Sequence, residues 1–280
     1  QHKVLSLVGT ESNKKTKNKT SHASPMLSLA KTYDLKELLS WQKKRAIIGM
    51  PKIDGNSLSL MFEEGHFTLA KTRGNGFLGE IVTNKITWIS DCPKVLKKSP
   101  IPLNDKQKKR IEVRGELYCK ESQFLKLLKK MSDLGLPEAT SPRNIVAGVL
   151  GRKQHLHLAQ YFDFFAFDVL FHEDNESPFK TEEEKISWLQ AVGFSYPPFS
   201  LLETEEEVKA FLEKTKESLD KSDYAMDGAV FSFNDLKHHR SLGATSHHPR
   251  YKMSFKWPGE TAETIIKEIT WATSRLGIVT

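Results

Sequence analysis

The chain has 280 residues, of which 38% are hydrophobic and 28% are charged, a balance that excludes a disordered protein and is sufficient for one large domain or two smaller ones. Its 42 Lys and Arg residues outnumber its 35 Asp and Glu residues, and this surplus favours a polyanionic partner such as a nucleic acid. The sequence has neither a run of about 18 apolar residues that could cross a membrane nor the apolar segment of a signal peptide.

Charge is unevenly distributed along the chain. Basic residues are grouped at 14–19, 106–110 and 238–252, whereas acidic residues are concentrated in 181–223. We therefore expect a basic face opposite an acidic one. The two cysteines, Cys92 and Cys119, are too few for a disulfide framework, so we expect a cytoplasmic protein.

The pattern of apolar residues predicts a mixed fold. Residues 1–25, which are polar and rich in lysine, are expected to form a mobile tail. Alternation predicts strands, and helical spacing predicts helices. In chain order the predicted strands are 46–50, 57–62, 66–71, 111–118, 162–171, 226–233, 251–257 and 264–271, with a hairpin turn at 63–66, and the predicted helices are 122–134, 181–192 and 205–219. Hairpins interspersed with helices favour an α+β domain with antiparallel sheets over residues 26–260.

One lysine stands at the end of a predicted buried strand, in Lys52-Ile53-Asp54-Gly55. Burial near other cations favours the neutral amine, which can attack an electrophilic phosphorus. Asp54 is placed to orient this lysine, and Gly55 permits a ligand to approach the backbone. By itself, Lys-x-Asp-Gly is a weak signal, because most such turns lie on a protein surface.

Further motifs accompany this lysine. They are 72–76 (Thr-Arg-Gly-Asn-Gly), 112–116 (Glu-Val-Arg-Gly-Glu), 141–144 (Ser-Pro-Arg-Asn), 226–230 (Met-Asp-Gly-Ala-Val) and 254–258 (Ser-Phe-Lys-Trp-Pro). A nucleophilic lysine, carboxylates on strands and a late lysine are the groups that covalent nucleotidyl transfer requires. They supply an amine to take the nucleotide, a carboxylate for ribose or Mg²⁺, and a cation for the phosphate.

This ordered set resembles the adenylation domain of NAD-dependent DNA ligases. Residues 25–29 (Pro-Met-Leu-Ser-Leu) and 242–250 (Leu-Gly-Ala-Thr-Ser-His-His-Pro-Arg) are similar to two more signatures of that family. The resemblance implies the nucleotidyltransferase fold, with the beginning of an oligonucleotide-binding (OB) barrel at 261–280. It also implies three reaction steps: a lysine takes AMP from NAD, AMP passes to the 5′-phosphate of nicked double-stranded DNA, and the 3′-hydroxyl seals the nick.

The resemblance also implies roles for individual residues. The catalytic residues would be Lys52 as nucleophile, Asp54 and Glu116 near the ribose and metal, with Glu116 as a ligand for Mg²⁺, and Lys256 at the AMP phosphate. The nucleotide-binding residues would be Ser28, Leu29, Met50, Ile53, Arg73, Asp227 and Ser232. The DNA-binding residues would be Arg73 and Arg143, and we add Arg152, Arg250 and Lys252 as further candidates from the sequence itself. We expect a monomer associated with the nucleoid.

The chain departs from the family pattern at several positions. Met50 and Ser232 stand where the family has Glu and Lys, whose side chains meet the same edge of adenine. Because losing only one would leave a buried charge unpaired at a cost of ~3–5 kcal/mol, we interpret the two as one coupled change that weakens base selectivity. Asn75 replaces an aspartate, and Gly151 and Leu219 replace arginines, with Arg152 and Lys221 as the nearest cations. We therefore expect a divergent member.

Lys252 stands where the family generally has a small apolar residue. On an extended strand it shares a face with Ser254 and Lys256. One hypothesis is that Lys252 restores positive charge near the pocket and lowers the pKa of Lys52. The alternative is that Lys252 contacts the DNA backbone beside Arg250.

Two other functions remain open at this point. One is a catalytically impaired, ligase-like protein that still binds nucleic acid, and the other is a nucleotidyltransferase that uses ATP. Family members recognise the nicotinamide half of NAD with a domain ahead of the adenylation domain, and only the polar residues 1–25 stand there in this sequence. We therefore expect further domains in the parent protein and a slow reaction of this chain alone with NAD.

Overall fold

The computed structural model describes residues 18–174, 177–258, 263–275 and 277–279. Its strands are β1 (Lys19–Ser21), β2 (Ala30–Thr32), β3 (Ile47–Ile53), β4 (Asn56–Glu63), β5 (His66–Thr72), β6 (Leu78–Glu80), β7 (Arg110–Cys119), β8 (Phe162–Phe171), β9 (Ser200–Leu202), β10 (Met226–Phe233) and β11 (Lys252–Phe255). Its helices are α1 (Leu35–Gln42), α2 (Thr83–Ile86), α3 (Asp105–Lys109), α4 (Glu121–Asp133), α5 (Pro142–Gly151), α6 (Glu182–Ala191), α7 (Glu205–Glu217) and α8 (Leu236–Leu242). None of these helices has the length and apolar composition needed to cross a membrane.

A four-stranded antiparallel sheet, in the order β5-β4-β7-β8, contains the larger core. The β4–β5 hairpin turns at Glu64 and Gly65, both with positive φ. Because side chains alternate across a sheet, Leu58, Leu60 and Val113 share one face and are fully buried. The opposite face of this sheet carries polar side chains.

The second sheet has five strands in the order β2-β11-β10-β3-β9, and all its pairs are antiparallel except β2–β11. One face packs on α1 and α7 through residues such as Ile47 and Phe231. The other face of β3 carries Ile48 and Met50, which pack with Ile186 of α6. The two sheets and their helices confirm the predicted α+β class with antiparallel pairing.

The predicted strands and helices between residues 46 and 257 are confirmed, with boundaries that shift by a few residues. The sequence analysis missed α1, α2, α3, α8 and the three-residue strands, because short elements carry too few residues to show a periodicity. The expectation of a mobile tail over all of 1–25 is wrong for residues 18–25. There β1 pairs with β6, and Lys71 and His22 bond the segment to the four-stranded sheet and its adjoining loop. Residues 1–17 lie outside the described residues.

The strand predicted over 264–271 is also absent, since residues 263–272 contain no strand. Ile265, Ile266, Ile269 and Trp271 are exposed. A strand is stabilised by pairing with a neighbour and burying one face, and neither condition is met for these residues. The assignment of 261–280 to an OB barrel stays a prediction.

A buried polar network anchors residues 18–25 to the four-stranded sheet. Glu112, fully buried on β7, accepts hydrogen bonds from Ser59 at 2.7 Å, from Arg114 at 2.8 Å and from His172 at 2.6 Å. The Arg114 guanidinium also donates to the carbonyls of Ser24 and Pro25. One buried carboxylate therefore orients the arginine that fixes the N-terminal segment.

The Glu112 network predicts a specific acid dependence of stability. Burial by itself would raise the pKa of Glu112, but the hydrogen bonds and charges of His172, Arg114 and Ser59 outweigh it and lower the pKa from 4.5 to about 2. The resulting stabilisation, roughly 3 kcal/mol, is present above the unfolded-state pKa and is lost as the pH falls toward the folded-state value. We expect Glu112→Gln to lower the free energy of unfolding at neutral pH and to flatten its pH dependence between about 4.5 and 2, as measured by urea unfolding.

The exposed Glu213 on α7 provides the control for this measurement. Glu213→Gln should keep the pH dependence of the unsubstituted chain. If Glu112→Gln and the unsubstituted chain lost stability in parallel on acidification, the network would not be the source of the effect.

Candidate active site

The site is organised around one carboxylate held between two lysines. Asp227 Oδ1 accepts from Lys52 Nζ at 2.8 Å, and Asp227 Oδ2 accepts from Lys256 Nζ at 2.7 Å. The side chains of Lys52 and Asp227 are 28% and 26% exposed, so the cluster is accessible from solvent. Burial acts to raise the pKa of Asp227, but the hydrogen bonds from Lys256 and Lys52 outweigh it and hold the pKa below its usual value.

A bulge in β10 places Asp227 between the two lysines. Met226 pairs with Ile53 and Gly228 pairs with Lys52, so Asp227 is the extra residue between two paired ones. Strict alternation would turn Asp227 to the opposite face from Lys52, and the bulge turns it back toward the lysines. The carboxylate is therefore positioned by the backbone of the strand and not only by its partners.

Two glycines permit close backbone contacts at the site. A Cβ on Gly228 would lie 2.2 Å from the Phe255 carbonyl oxygen, where β10 passes β11. A Cβ on Gly55 would lie 2.1 Å from the Leu117 carbonyl oxygen, where the chain crosses from β3 to β4. Both approaches exclude any side chain. The glycine in Lys-x-Asp-Gly thus brings the end of β3 against β7, the strand that carries Glu116.

Glu116 lies on the polar face of the four-stranded sheet and accepts a hydrogen bond from Ser57 Oγ at 2.6 Å. Burial raises the pKa of Glu116 to about 7, although Ser57, Lys52 and Arg73 act in the opposite direction. The sequence analysis did not identify Ser57, which faces Glu116 across β4 and β7. The sequence feature that could have identified Ser57 is its position in an alternating strand directly after the Lys-x-Asp-Gly motif. Glu116 is therefore a carboxyl that changes charge near neutral pH.

Asp54 contacts an arginine that the sequence analysis assigned to DNA. Arg143 Nη1, near the start of α5, donates to Asp54 Oδ1 at 2.8 Å, and the arginine side chain is 57% exposed. Burial raises the pKa of Asp54, the charge of Asp227 adds to this rise, and Arg143 opposes it. The structure thus places Arg143 at the edge of the lysine cluster, with part of its surface open to solvent.

The face of the five-stranded sheet beyond Lys52 is largely apolar. Met50 is buried and pairs with Val230, and Ser232 pairs with Ile48 in the next row. Ser232 Oγ lies 3.5 Å from His239 Nε2. Neither Met50 nor Ser232 provides a charged group, and their interpretation as one coupled change stays a prediction.

Lys252 is directly opposite Ser232 on β11, but its side chain points into the protein. Its Nζ lies 2.8 Å from Glu182 Oε1 and 3.8 Å from Asp168 Oδ2. The same two carboxylates also pair with Lys185, whose Nζ lies 2.6 Å from an oxygen of each. Burial would lower the pKa of Lys252, but Asp168 and Glu182 outweigh it and raise the pKa well above its usual value.

This placement fits neither hypothesis for Lys252. The side chain is only 12% exposed and is bound by two carboxylates, so it is not available to a DNA phosphate. Lys256, and not Lys252, shares a carboxylate with Lys52. The sequence analysis missed the reason because Asp168 and Glu182 lie far from Lys252 in sequence.

The loop that carries Arg73 keeps its shape despite Asn75. The Asn75 side chain accepts from the backbone N–H groups of Phe77 and Leu78 at 3.0 and 2.8 Å. The Arg73 N–H donates to the Ser57 carbonyl at 3.0 Å, which places Arg73 beside the Glu116–Ser57 pair. Asn75 therefore acts here as a turn-forming acceptor, a role that asparagine and aspartate side chains share.

The remaining predicted residues are more dispersed. Ser28 and Leu29 precede β2, and the Ser28 carbonyl accepts from His248 at 3.1 Å. Ile53 is buried on the face opposite Lys52. The Arg250 guanidinium donates to the Leu242 carbonyl at 3.1 Å, and Arg152 ends α5. The structure brings together Lys52, Asp54, Arg143, Asp227, Lys256 and Glu116 with Arg73 beside them. Two of the predicted DNA-binding residues, Arg73 and Arg143, are therefore at this cluster, whereas Lys252 is held by Asp168 and Glu182.

The carboxylates of the site fit a shared magnesium ion rather than a complete protein-bound one. The described residues contain no cluster of three or more His, Cys, Asp or Glu side chains that could hold a metal ion. Mg²⁺ is usually bound by one or two carboxylates together with phosphate oxygens and water, so an ion held by Glu116 would need phosphate oxygens and water to complete its ligands.

Comparison with known proteins agrees with this geometry. The family model for the NAD-dependent DNA ligase adenylation domain matches residues 14–260. A DNA ligase of Lacticaseibacillus casei is 34% identical over 272 residues, which cover 94% of this chain and 39% of that protein. A DNA ligase of Thermotoga maritima is 35% identical over 270 residues, which cover 92% of this chain and 38% of that protein. The chain thus spans about two fifths of these relatives.

Among solved structures, a mycobacterial DNA ligase D complexed with ATP and MES aligns over 83% of this chain and 60% of its own, at 13% identity and a TM-score of 0.44. The match to the family model, in contrast, extends over most of the chain and includes every residue of the lysine cluster and of the Glu116 pair. The resemblance seen in the motifs is confirmed, and the chain belongs to the NAD-dependent DNA ligase adenylation-domain family.

Proposed function

We propose that Lys52 takes an adenylate group from NAD and that the adenylate then passes to the 5′-phosphate of nicked double-stranded DNA, whose 3′-hydroxyl seals the nick. The observation that carries this proposal is the pair of lysines on Asp227, with Glu116 near enough for the charge of Lys52 to act on it. One lysine can attack a phosphorus while the other holds its oxygens. The same proposal includes Mg²⁺, a monomeric chain and association with the nucleoid.

The arrangement of charges supports a displacement at the two lysines. The adenylate phosphate of NAD carries negative charge and competes with Asp227 for Lys256 and Lys52. Once Lys52 is free of its carboxylate and has released a proton to water, its lone pair attacks the adenylate phosphorus. A P–N bond forms, the P–O bond of the pyrophosphate bridge breaks, and nicotinamide mononucleotide leaves with that electron pair. Lys256 stays on the phosphate oxygens throughout.

The metal would act on the side of the cleft opposite the lysines. Glu116 would hold Mg²⁺ together with phosphate oxygens, and the ion would neutralise charge that develops on the phosphate. Ser57 keeps the Glu116 carboxylate oriented through its hydrogen bond. Of the groups assigned to nucleic acid, Arg73 and Arg143 are nearest to the reacting phosphate, and Arg143 would exchange Asp54 for a DNA phosphate.

An impaired enzyme that still binds nucleic acid is the second candidate, and the apolar row at Met50 and Val230 favours it. Because neither Met50 nor Ser232 can form a charged hydrogen bond with adenine, affinity for the adenine half of NAD depends on packing and on backbone groups. A weak but Lys52-dependent reaction would distinguish a divergent enzyme from an inactive one.

Intact-mass measurement of the chain after incubation with NAD and Mg²⁺ tests the proposal. We expect one added adenylate group, formed slowly and on only part of the protein because this chain alone should react poorly with NAD, and we expect it on Lys52, the lysine placed for attack. Lys52→Ala should carry no adenylate. Incubation with ATP in place of NAD should give no labelling. This comparison distinguishes an enzyme that takes adenylate from NAD from one that takes it from ATP.

Lys36 on α1 is exposed and supplies the matched lysine control, so Lys36→Ala should be labelled like the unsubstituted chain. Adenylate found on Lys52→Ala, or labelling by ATP alone, would contradict the proposal. Absence of any labelling with either donor would favour the impaired candidate.

The pH dependence of adenylation tests the role of Glu116. Because burial raises the pKa of Glu116 to about 7, this carboxyl is protonated below that pH and ionised above it. The ionised form is the one that binds Mg²⁺, so kcat/KM for labelling should rise as the pH increases through about 7. Glu116→Gln should lower kcat/KM by about tenfold or more and remove this rise.

Glu80→Gln serves as the control, since Glu80 is exposed on β6. It should keep the rise near pH 7. A Glu116→Gln profile that rises like that of the unsubstituted chain would exclude Glu116 as the titrating group.

A further inference from the structure

A second cluster of cations lines a cavity at the other end of α5. The cavity has a volume of about 320 Å³ and is lined by Asn18, Ile81, Thr83, Asn84, Lys85, Arg152 and Lys153. Three of these residues are cationic and none is acidic. Since α5 has ten residues, the cavity lies about 15 Å along this helix from the Arg143–Asp54 pair. It is therefore separate from the lysine cluster.

Lys85 is an unusual member of this lining because it is only 6% exposed. Lysines are seldom buried to this extent without a carboxylate partner. Among the described residues no carboxylate forms an ion pair with Lys85, and Glu80 is the one whose charge acts on it. Burial lowers the pKa of Lys85, and Glu80 opposes this only in part. An anion entering the cavity would supply the missing counter-charge.

Arg152 contributes a donor that lacks an acceptor. Its Nε is buried, and within the described part of the chain it has no hydrogen-bond partner. A buried guanidinium N–H without an acceptor is unfavourable, so its orientation is explained when a ligand supplies one. Asn84 and Asn18 add side-chain amide groups to the same lining. The cavity thus offers cationic and neutral donors from three separated segments of the chain.

We propose that this cavity binds a phosphate group of a nucleic-acid backbone. A phosphate presents several oxygens and a negative charge, which matches an ammonium, a guanidinium and amide donors converging on one space. The cavity opens to the surface, so a phosphodiester of a bound duplex can enter without burying its bases. This site adds to the proposed function a DNA contact remote from the reacting nick. It rests on the proposed function for the identity of the nucleic acid.

The salt dependence of DNA binding tests this site. Binding of a nicked duplex to the full chain is measured by fluorescence anisotropy at several salt concentrations, without nucleotide. Lys85→Met, which keeps the length of the side chain, should weaken binding about tenfold at low salt and reduce the slope of log K against log salt by about 0.9, because one phosphate contact is lost. Arg152→Gln should weaken binding in the same direction. Lys85→Arg should restore much of the slope.

Lys129→Met is the matched control, because Lys129 is exposed on α4 and its substitution removes the same charge. It should leave affinity and slope unchanged. Circular dichroism reports whether each variant is folded, and loss of a buried unpaired cation is not expected to lower Tm. Since no nucleotide is present, the titration reports on the cavity whether or not Lys52 becomes adenylated.

Two results would overturn the proposal. The first is an equal slope for Lys85→Met, Lys129→Met and the unsubstituted chain, or no binding of the duplex by the unsubstituted chain. The second is a rise of Tm with inorganic phosphate that disappears in Lys85→Met, together with DNA binding that is unchanged in the same variant. That pattern would make the cavity a site for free phosphate and exclude the backbone as its ligand.

Discussion

The bulge at Asp227 is the constraint on which the site depends. Lys52 is on β3 and Lys256 directly follows β11, the two strands that flank β10. Two ammonium groups on neighbouring strands repel each other unless an anion lies between them. The bulge supplies this anion from the central strand itself. The same carboxylate holds the ammonium groups of both lysines. In the proposed reaction a phosphate would take the place of this carboxylate, so the bulge would preorganise the two lysines for it.

A second group of charges, more buried than the first, is formed by two lysines and two carboxylates. Lys252 and Lys185 share the carboxylates of Asp168 and Glu182, so strand β11, strand β8 and helix α6 are joined by a balanced buried cluster. Removing a single member would leave an uncompensated charge, which commonly costs about 3–5 kcal/mol. Beside it, Met50 and Val230 form an apolar row. The charged side chains that the family has at positions 50 and 232 are absent here. Lys252, which is opposite Ser232, instead pairs with carboxylates that join the two sheets.

The sequence was sufficient for the class of fold and for the centre of the site. Alternation located the long strands, and the ordered motifs identified Lys52, Glu116, Asp227 and Lys256 as parts of one pocket. The failures have a common physical cause. Lys252 was assigned to DNA because its strand neighbours are cationic, but its partners come from β8 and α6, and no local pattern encodes which carboxylates a folded chain will bring to a lysine. The bulge was missed because an Asp-Gly pair reads as a turn as readily as an irregular strand.

The N-terminal segment shows how a short piece of polar sequence becomes part of the site's support. Residues 18–25 have too few apolar side chains to pack by themselves, and their order depends on Arg114, Lys71 and His22. His22 donates to the Thr72 and Arg73 carbonyls, whereas Arg114 is oriented by Glu112 two residues earlier on β7. Glu116 lies on the same face of that strand. A single strand therefore carries both the carboxylate that faces the cleft and the ion pair that fixes the segment beside the Arg73 loop. Anything that displaces this segment should act on Arg73 before it acts on Lys52, because β3 belongs to the other sheet.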